Sequence, residues 1–225
     1  VVYGCAFEGE EVRHIRVDSL VEAKSLQGSK YVQSNINGIY ESIKRDLALG
    51  KEVLFIGTPC QCAGLKNFIA KDSPNLYIVD LVCHGVPSQK MLYEYINRRI
   101  NIKQVSNISF RQGNKFVFTV TGKDCQFSYN LWADRYADTY YNAFIDGISY
   151  RISCYNCQYA TKNRVADITI GDFWGLKDSS IFTVREGTGI SLILPCTNKG
   201  VFLLSAIEQE LEIIERSVDE AIMGN

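Results

Sequence analysis

Residues 51–100 switch twice between a short apolar run and a longer amphipathic one, and no other stretch restricts the fold so much. KEVLFIG (51–57) and NLYIVDLVC (75–83) are apolar and β-prone. Each leads into a segment with helical spacing: TPCQCAGLKNFIAK (58–71), and the turn and helix of HGVPSQKMLYEYINRRI (84–100). Apolar strands that alternate with helices lie parallel, joined by crossovers. The ends of successive strands then share one edge of the sheet, where α/β proteins form ligand sites. Thr58 is expected to cap the first of these helices, with Pro59 at its first position.

The flanking segments complete the plan. VVYGCAF (1–7) and EVRHIRV (11–17) read as a hairpin around EGE, with His14 on its exposed face. Short and longer helices are expected over 18–28 and 35–50, closed by Gly28 and Gly50. SNISFRQ (106–112), FVFTVTG (116–122) and CQFSYN (125–130) alternate apolar and polar residues with turns between them, the pattern of an antiparallel meander. A helix over 133–147, a cysteine-bearing loop over 151–160, a strand running into a Gly-rich turn over 166–175, a strand at 190–196, and a long helix within 198–214 follow. No repeat or low-complexity linker interrupts the chain. The expectation is one compact α/β domain over 1–225 with a mixed sheet, a parallel β-α-β-α core plus the antiparallel meander.

Net charge −1 with 22% charged residues offers neither the basic stripe of a nucleic-acid binder nor a reason to expect a membrane surface as partner. No apolar run approaches the roughly 18 residues of a spanning helix. The first residues lack the features of a signal peptide, so a cytoplasmic protein with reduced thiols is expected.

Eight cysteines is then a high count. Cys60 and Cys83 fall at the ends of the two successive βα strands, Cys60 also at a helix N-terminus, which favours a thiolate. Cys154 and Cys157 form C-Y-N-C, a spacing that lets two sulfurs grip one metal or cluster. Four thiolates suit a 4Fe-4S cluster or a structural zinc ion. The C-x-x-C pair alone could be a redox dithiol, or an accidental pair on a loop. Cys62 lies about 200° round the helix from Cys60 and is assigned to packing. Cys5, Cys125 and Cys196 sit in strand patterns and are assigned to the core. His84, beside Cys83, reads as a turn residue bonded to backbone, with a proton-donating or cluster-tuning role as the functional alternative.

GTPCQCAGL, VDLVCHGVPS, SCYNCQYA and ITIGDFWG, in this order, together with GSKYVQS (28–34), resemble the coenzyme F420 hydrogenase/dehydrogenase beta-subunit family from about residue 1 to about residue 195. That family comprises iron–sulfur flavoproteins. The resemblance implies a 4Fe-4S cluster on Cys60, Cys83, Cys154 and Cys157. It also implies FAD, near Ser29, Lys30, Tyr31 and Ser34, with Thr58 and Pro59, and with Asp167 and Asp172 bordering the pocket. Read from the residues alone, GSKYVQS is an ordinary loop with an exposed lysine. Set against a flavin, Lys30 would face the N1/C2=O edge and Tyr31 would stack on the ring. Asp172 alternatively caps a turn, with Phe173 and Trp174 as core aromatics. Family members usually begin upstream with a Gly-rich segment that helps build the flavin pocket, often after a ferredoxin-like domain, and continue past this C-terminus.

The function so implied is an oxidoreductase that moves electrons between the cluster and FAD. A deazaflavin-like or other two-electron carrier or substrate would exchange hydride, and a redox partner protein or ferredoxin-like domain would exchange single electrons. A zinc-stabilised interaction module without catalysis is the reading from another class.

Overall fold

The computed structural model describes residues 1–8, 10–174, 176 and 189–222. In chain order the elements are β1 (Val2–Glu8), β2 (Glu11–Val17), α1 (Leu20–Ala23), α2 (Ile39–Ala48), β3 (Val53–Gly57), α3 (Pro59–Ile69), β4 (Leu76–Leu81) and α4 (Gln89–Asn97). Then follow β5 (Val105–Gln112), β6 (Lys115–Gly122), β7 (Gln126–Asn130), α5 (Thr139–Ile145), α6 (Ile152–Tyr155), β8 (Ile168–Asp172), β9 (Ser191–Pro195), α7 (Asn198–Ile207) and α8 (Val218–Ile222). They fall into two compact units, each made of two stretches of chain: Val1–Ser42 with His84–Gln158, and Ile43–Cys83 with Tyr159–Asn225.

In the first unit β5, β6 and β7 form the expected antiparallel meander. Phe110 and Phe118 stack with centroids 4.9 Å apart, and Tyr140, Tyr141 and Phe144 of α5 are buried with them. Burying each such ring is worth about 1.5–3 kcal/mol, so the aromatic cluster is a large favourable contribution within the unit's core. β1 and β2 pair antiparallel from Val2↔Val17 to Glu8↔Glu11. The free edge of β2 is covered rather than left to recruit another strand. Asn35 exchanges backbone bonds with His14 (2.8 Å) and Val12 (2.9 Å), and the Gln89 amide bonds both the N–H and the carbonyl of Val12 (3.2 and 2.7 Å).

His14 corrects the expectation of an exposed face: only 1% of it is accessible. It shares the buried phase of β2 with Val12, and its Nδ1 lies 2.9 Å from the buried Ser34 hydroxyl, which makes the burial tolerable. The expected helix over 133–147 is also shorter. Asn130 Oδ1 accepts from the N–H groups of Trp132 and Ala133 (3.0 and 3.2 Å), holding a turn, and α5 starts only where Asp138 caps Tyr140 and Tyr141 (3.0 and 3.1 Å).

Asp138 is buried, and burial pushes its carboxyl above the usual range. The Tyr95 hydroxyl is its side-chain neighbour, and neither that hydroxyl nor Asp138 Oδ2 forms a well-aligned hydrogen bond with any other described residue. Asparagine keeps the cap and gives Tyr95 a neutral amide neighbour. Asp138→Asn is therefore expected to raise stability at pH 7 by about 1 kcal/mol in denaturant titrations. A carboxyl raised in the folded state costs stability only where it would otherwise ionise. The gain should thus vanish as pH falls below the ordinary carboxylate range.

In the second unit β3, β4, β8 and β9 stand side by side in that order. β3, β4 and β8 are parallel and β9 is antiparallel to β8, a mixed sheet in an α/β arrangement. Val53, Phe55, Leu65, Ile78 and Ile168 are buried in it. α7 begins against β8 so closely that a Cβ on Gly200 would lie 2.0 Å from the Asp167 carbonyl oxygen, which only glycine allows. The helix ends at Ile207, short of the expected 214. Likewise the segment 18–28 forms only the four residues of α1 and one 3-10 turn, Lys24–Leu26. Two core assignments are corrected: Trp174 is 54% accessible and Cys125 is exposed, because each lies just beside a strand rather than within one. Gly175, where the Gly-rich turn was expected, lies outside the described residues. No described helix is long and apolar enough to cross a membrane.

Candidate functional site

β3 ends at Gly57 and α3 starts at Pro59, so Thr58 is the helix cap and Cys60 sits in the first turn, exposed. Thr58 N–H donates to Gln61 Oε1 (3.0 Å), which fixes the orientation of that amide. The Thr58 hydroxyl is 3.1 Å from the same oxygen and 3.2 Å from Cys60 Sγ. An amide oxygen only accepts, so the hydroxyl proton goes to Gln61 and the Cys60 thiol donates to Thr58. When Cys60 has no proton, the hydroxyl can turn and donate to the sulfur, while Gln61 keeps the backbone N–H. Cys62 faces the other way, as its helical offset predicts. It is fully buried 3.6 Å from the Val79 carbonyl, and burial, helped by the Asp80 charge, pushes its thiol far above the ordinary range.

β4 ends at Leu81. Val82 still donates to the Ile170 carbonyl (2.8 Å), which carries the chain to the half-buried Cys83. Just below, Asp80 is wholly buried, with Oδ1 3.0 Å from Arg164 Nη2 and 2.5 Å from the Thr169 hydroxyl. Arg164 and Thr169 escaped the sequence reading. A lone carboxylate inside the apolar run NLYIVDLVC did signal a buried cation, but nothing in the sequence says which of the 24 Lys and Arg residues supplies it.

Cys154 and Cys157 lie in the first unit, at and just beyond α6, both half-buried. The turn is anchored where Arg151 N–H donates to the Val86 carbonyl (3.0 Å) and where the Tyr155 hydroxyl donates to the Ile148 carbonyl (2.8 Å). His84 also belongs to this unit. Its Nδ1 pairs with the Tyr150 hydroxyl rather than with backbone, and burial lowers its pKa, which favours the neutral ring. Gly85 follows with φ +137°, and a Cβ there would lie 2.4 Å from the Tyr150 ring. Glycine thus permits the His84–Tyr150 pair.

The residues implied for a flavin divide between the units. Lys30 is not the exposed lysine of an ordinary loop: its Nζ donates to the carbonyls of Ser25, Leu26 and Gln27 (3.3, 3.0 and 2.8 Å), and burial lowers its pKa. Tyr31 stacks on Phe144 (centroids 4.6 Å) and its hydroxyl accepts from Arg111 (3.0 Å). Ser34 is bound to His14. In the second unit Pro59 is buried, and Asp167 accepts from the Ile78 N–H (2.9 Å) and the Thr197 hydroxyl (2.7 Å). Ser29 and Asp172 are exposed.

Among the described residues no three His, Cys, Asp or Glu side chains stand together as a metal site. The donor chemistry nevertheless fits a thiolate-bound group. None of Cys60, Cys83, Cys154 and Cys157 is buried, whereas Cys62 is sealed in the core.

The fold and these positions define a mixed-sheet α/β protein with cysteines at strand ends and in a C-x-x-C turn. The profile of the C-terminal region of the coenzyme F420 hydrogenase/dehydrogenase beta subunit matches residues 50–221, and the chain belongs to that family. A chain of the F420-reducing NiFe hydrogenase complex from Methanosarcina barkeri has a similar fold, with TM-score 0.56 and 16% identity, covering 99% of this chain and 75% of that one. No curated protein matches.

Proposed function

We propose that this chain is an iron–sulfur flavoprotein oxidoreductase whose Cys60, Cys83, Cys154 and Cys157 hold a 4Fe-4S cluster, which exchanges electrons with FAD. The family supports a hydrogenase or dehydrogenase subunit. The observation that carries the cluster is the contrast in α3, where Cys60 is exposed beside a hydroxyl while Cys62 is sealed in the core. When bound, the cluster handles single electrons and the flavin links them to two-electron chemistry with a deazaflavin-like or other carrier.

The residues act by holding and tuning. The helix α3 N-terminus and the Thr58 hydroxyl stabilise negative charge on the Cys60 sulfur. The flavin is less well provided for, because Lys30, Tyr31, Ser34 and Asp167 spend their groups on protein partners. Of the implied positions, the exposed Ser29 is the better candidate to meet it. A redox partner protein or ferredoxin-like domain would complete the path, in keeping with the hydrogenase complex that contains the structural neighbour.

The test is dye reduction by the anaerobic, reconstituted chain with reduced deazaflavin as donor and a viologen as acceptor. Turnover that needs both iron and flavin is expected. No turnover with deazaflavin or any other two-electron donor would overturn the reading. A second measurement addresses Thr58. Thr58→Val removes the donor to the more electron-rich sulfur, and the cluster potential should fall by about 40 mV, the size of a 1 kcal/mol difference in a one-electron couple. Thr58→Ser should keep the wild-type potential.

A further inference from the structure

Arg164 uses every donor it has. Nε donates to the Thr169 hydroxyl (3.1 Å), Nη1 to the carbonyls of Tyr159 and Thr161 (both 3.3 Å), and Nη2 to Asp80 Oδ1 (3.0 Å) and the Leu81 carbonyl (3.1 Å). A guanidinium has five N–H bonds in a rigid fork, so this arrangement leaves none spare and admits one geometry. The Arg164 side chain is only 11% accessible and Asp80 not at all, so the charge pair is shielded from water and salt.

What the fork joins is specific. Tyr159 is two residues after Cys157, and Leu81 is two residues before Cys83. One side chain therefore ties down the chain leaving the C-x-x-C turn and the end of the strand that leads to another candidate ligand. The segment 159–164 has no helix or strand of its own to hold it. We propose that Arg164, anchored by Asp80, is a positioning residue that holds the C-x-x-C arm for metal binding. This rests on the cluster reading above. Arg164 touches no proposed ligand. It acts through the backbone on either side.

Lysine at 164 separates the staple from the ion pair. It keeps a cation beside Asp80 but cannot reach the carbonyls of Tyr159 and Thr161 as well. The experiment uses the full chain and reads two quantities. In the cluster-free protein, hydrogen exchange of the amides from 154 to 162 in Arg164→Lys should speed up about tenfold or more, while amides of β3 and α3 keep wild-type rates. In the reconstituted protein, iron loss to a chelator should accelerate by a similar factor and the signal of the reduced cluster should change. Thr169→Val, which leaves the guanidinium in place but removes the Nε acceptor and the hydroxyl that donates to Asp80, should move both quantities the same way and less. It also decides the matter if Arg164→Lys does not fold.

Exchange rates that stay at wild-type values, or that rise evenly over the whole chain, would overturn the proposal. So would faster local exchange with unchanged iron loss. If wild-type protein takes up no cluster at all, the proposed function fails, and the exchange experiment still shows whether Arg164 is the staple.

Discussion

Serine at Cys60, Cys83, Cys154 or Cys157 is expected to strip most of the iron from anaerobically reconstituted protein, while alanine at Cys62 and serine at Cys125 or Cys196 should leave it in place. The reason is the difference in environment. The first four thiols are exposed or half-buried and so are open to a metal. The Cys62 thiol is fully buried and held protonated, and a ligand must be deprotonated to bind. Cys196 turns its sulfur to the Leu194 carbonyl (3.2 Å), and burial raises its pKa as well. Cys125 is exposed but lies on the meander of the first unit, apart from both cysteine-bearing segments in sequence. Loss of iron from only one or two of the four serine variants would shrink the ligand set to those residues. Iron and sulfide per chain, with melting of the cluster-free variants as the control for folding, provide the measurement.

Arg164→Met is the costliest single substitution expected for stability. It leaves the Asp80 carboxylate fully buried without its cation, and breaking a buried pair in this way costs about 3–5 kcal/mol. Asp80 Oδ2 already has no hydrogen-bond partner among the described residues, so little else can take up the charge. The double variant Arg164→Met with Asp80→Leu should recover most of the loss, because an apolar pair of similar volume has no charge to desolvate. Denaturant unfolding of the cluster-free chain gives both values. A cost below about 1 kcal/mol for Arg164→Met would mean that water reaches Asp80 and that the pair behaves as a surface salt bridge.

The contrast between these two residues shows what was legible in the sequence. Patterns carried by consecutive residues survived intact. The alternation of apolar runs and amphipathic segments in 51–100 gave β3, α3, β4 and α4 with their order and parallel sense. Period-two alternation gave the meander, and the strength of the Thr58–Pro59 signal placed the start of α3 correctly. The helical offset of Cys62 from Cys60 put the two thiols on opposite faces.

Pairings between distant residues were not legible. Ser34 meets His14 across 20 residues, and Arg164 meets Asp80 across 84. His14 is buried because a hydroxyl arrives from the segment that covers β2, which the local alternation does not reveal. Lys30 and Tyr31 illustrate the same limit. Their chemistry suits a flavin, but an ammonium ringed by three carbonyls and a tyrosine stacked in an aromatic cluster are also stable protein interiors, and residue type alone does not distinguish the two. Helix ends were the third gap, since α5 and α7 begin or stop at caps and turns that override propensity.

The most direct measurement is the content of iron, sulfide, zinc and flavin per chain after purification without oxygen, taken with the visible spectrum. About four irons and four sulfides with broad visible absorption are predicted, as a cluster on four cysteines requires. One zinc per chain and no colour would contradict the redox account and leave a zinc-stabilised interaction module in its place.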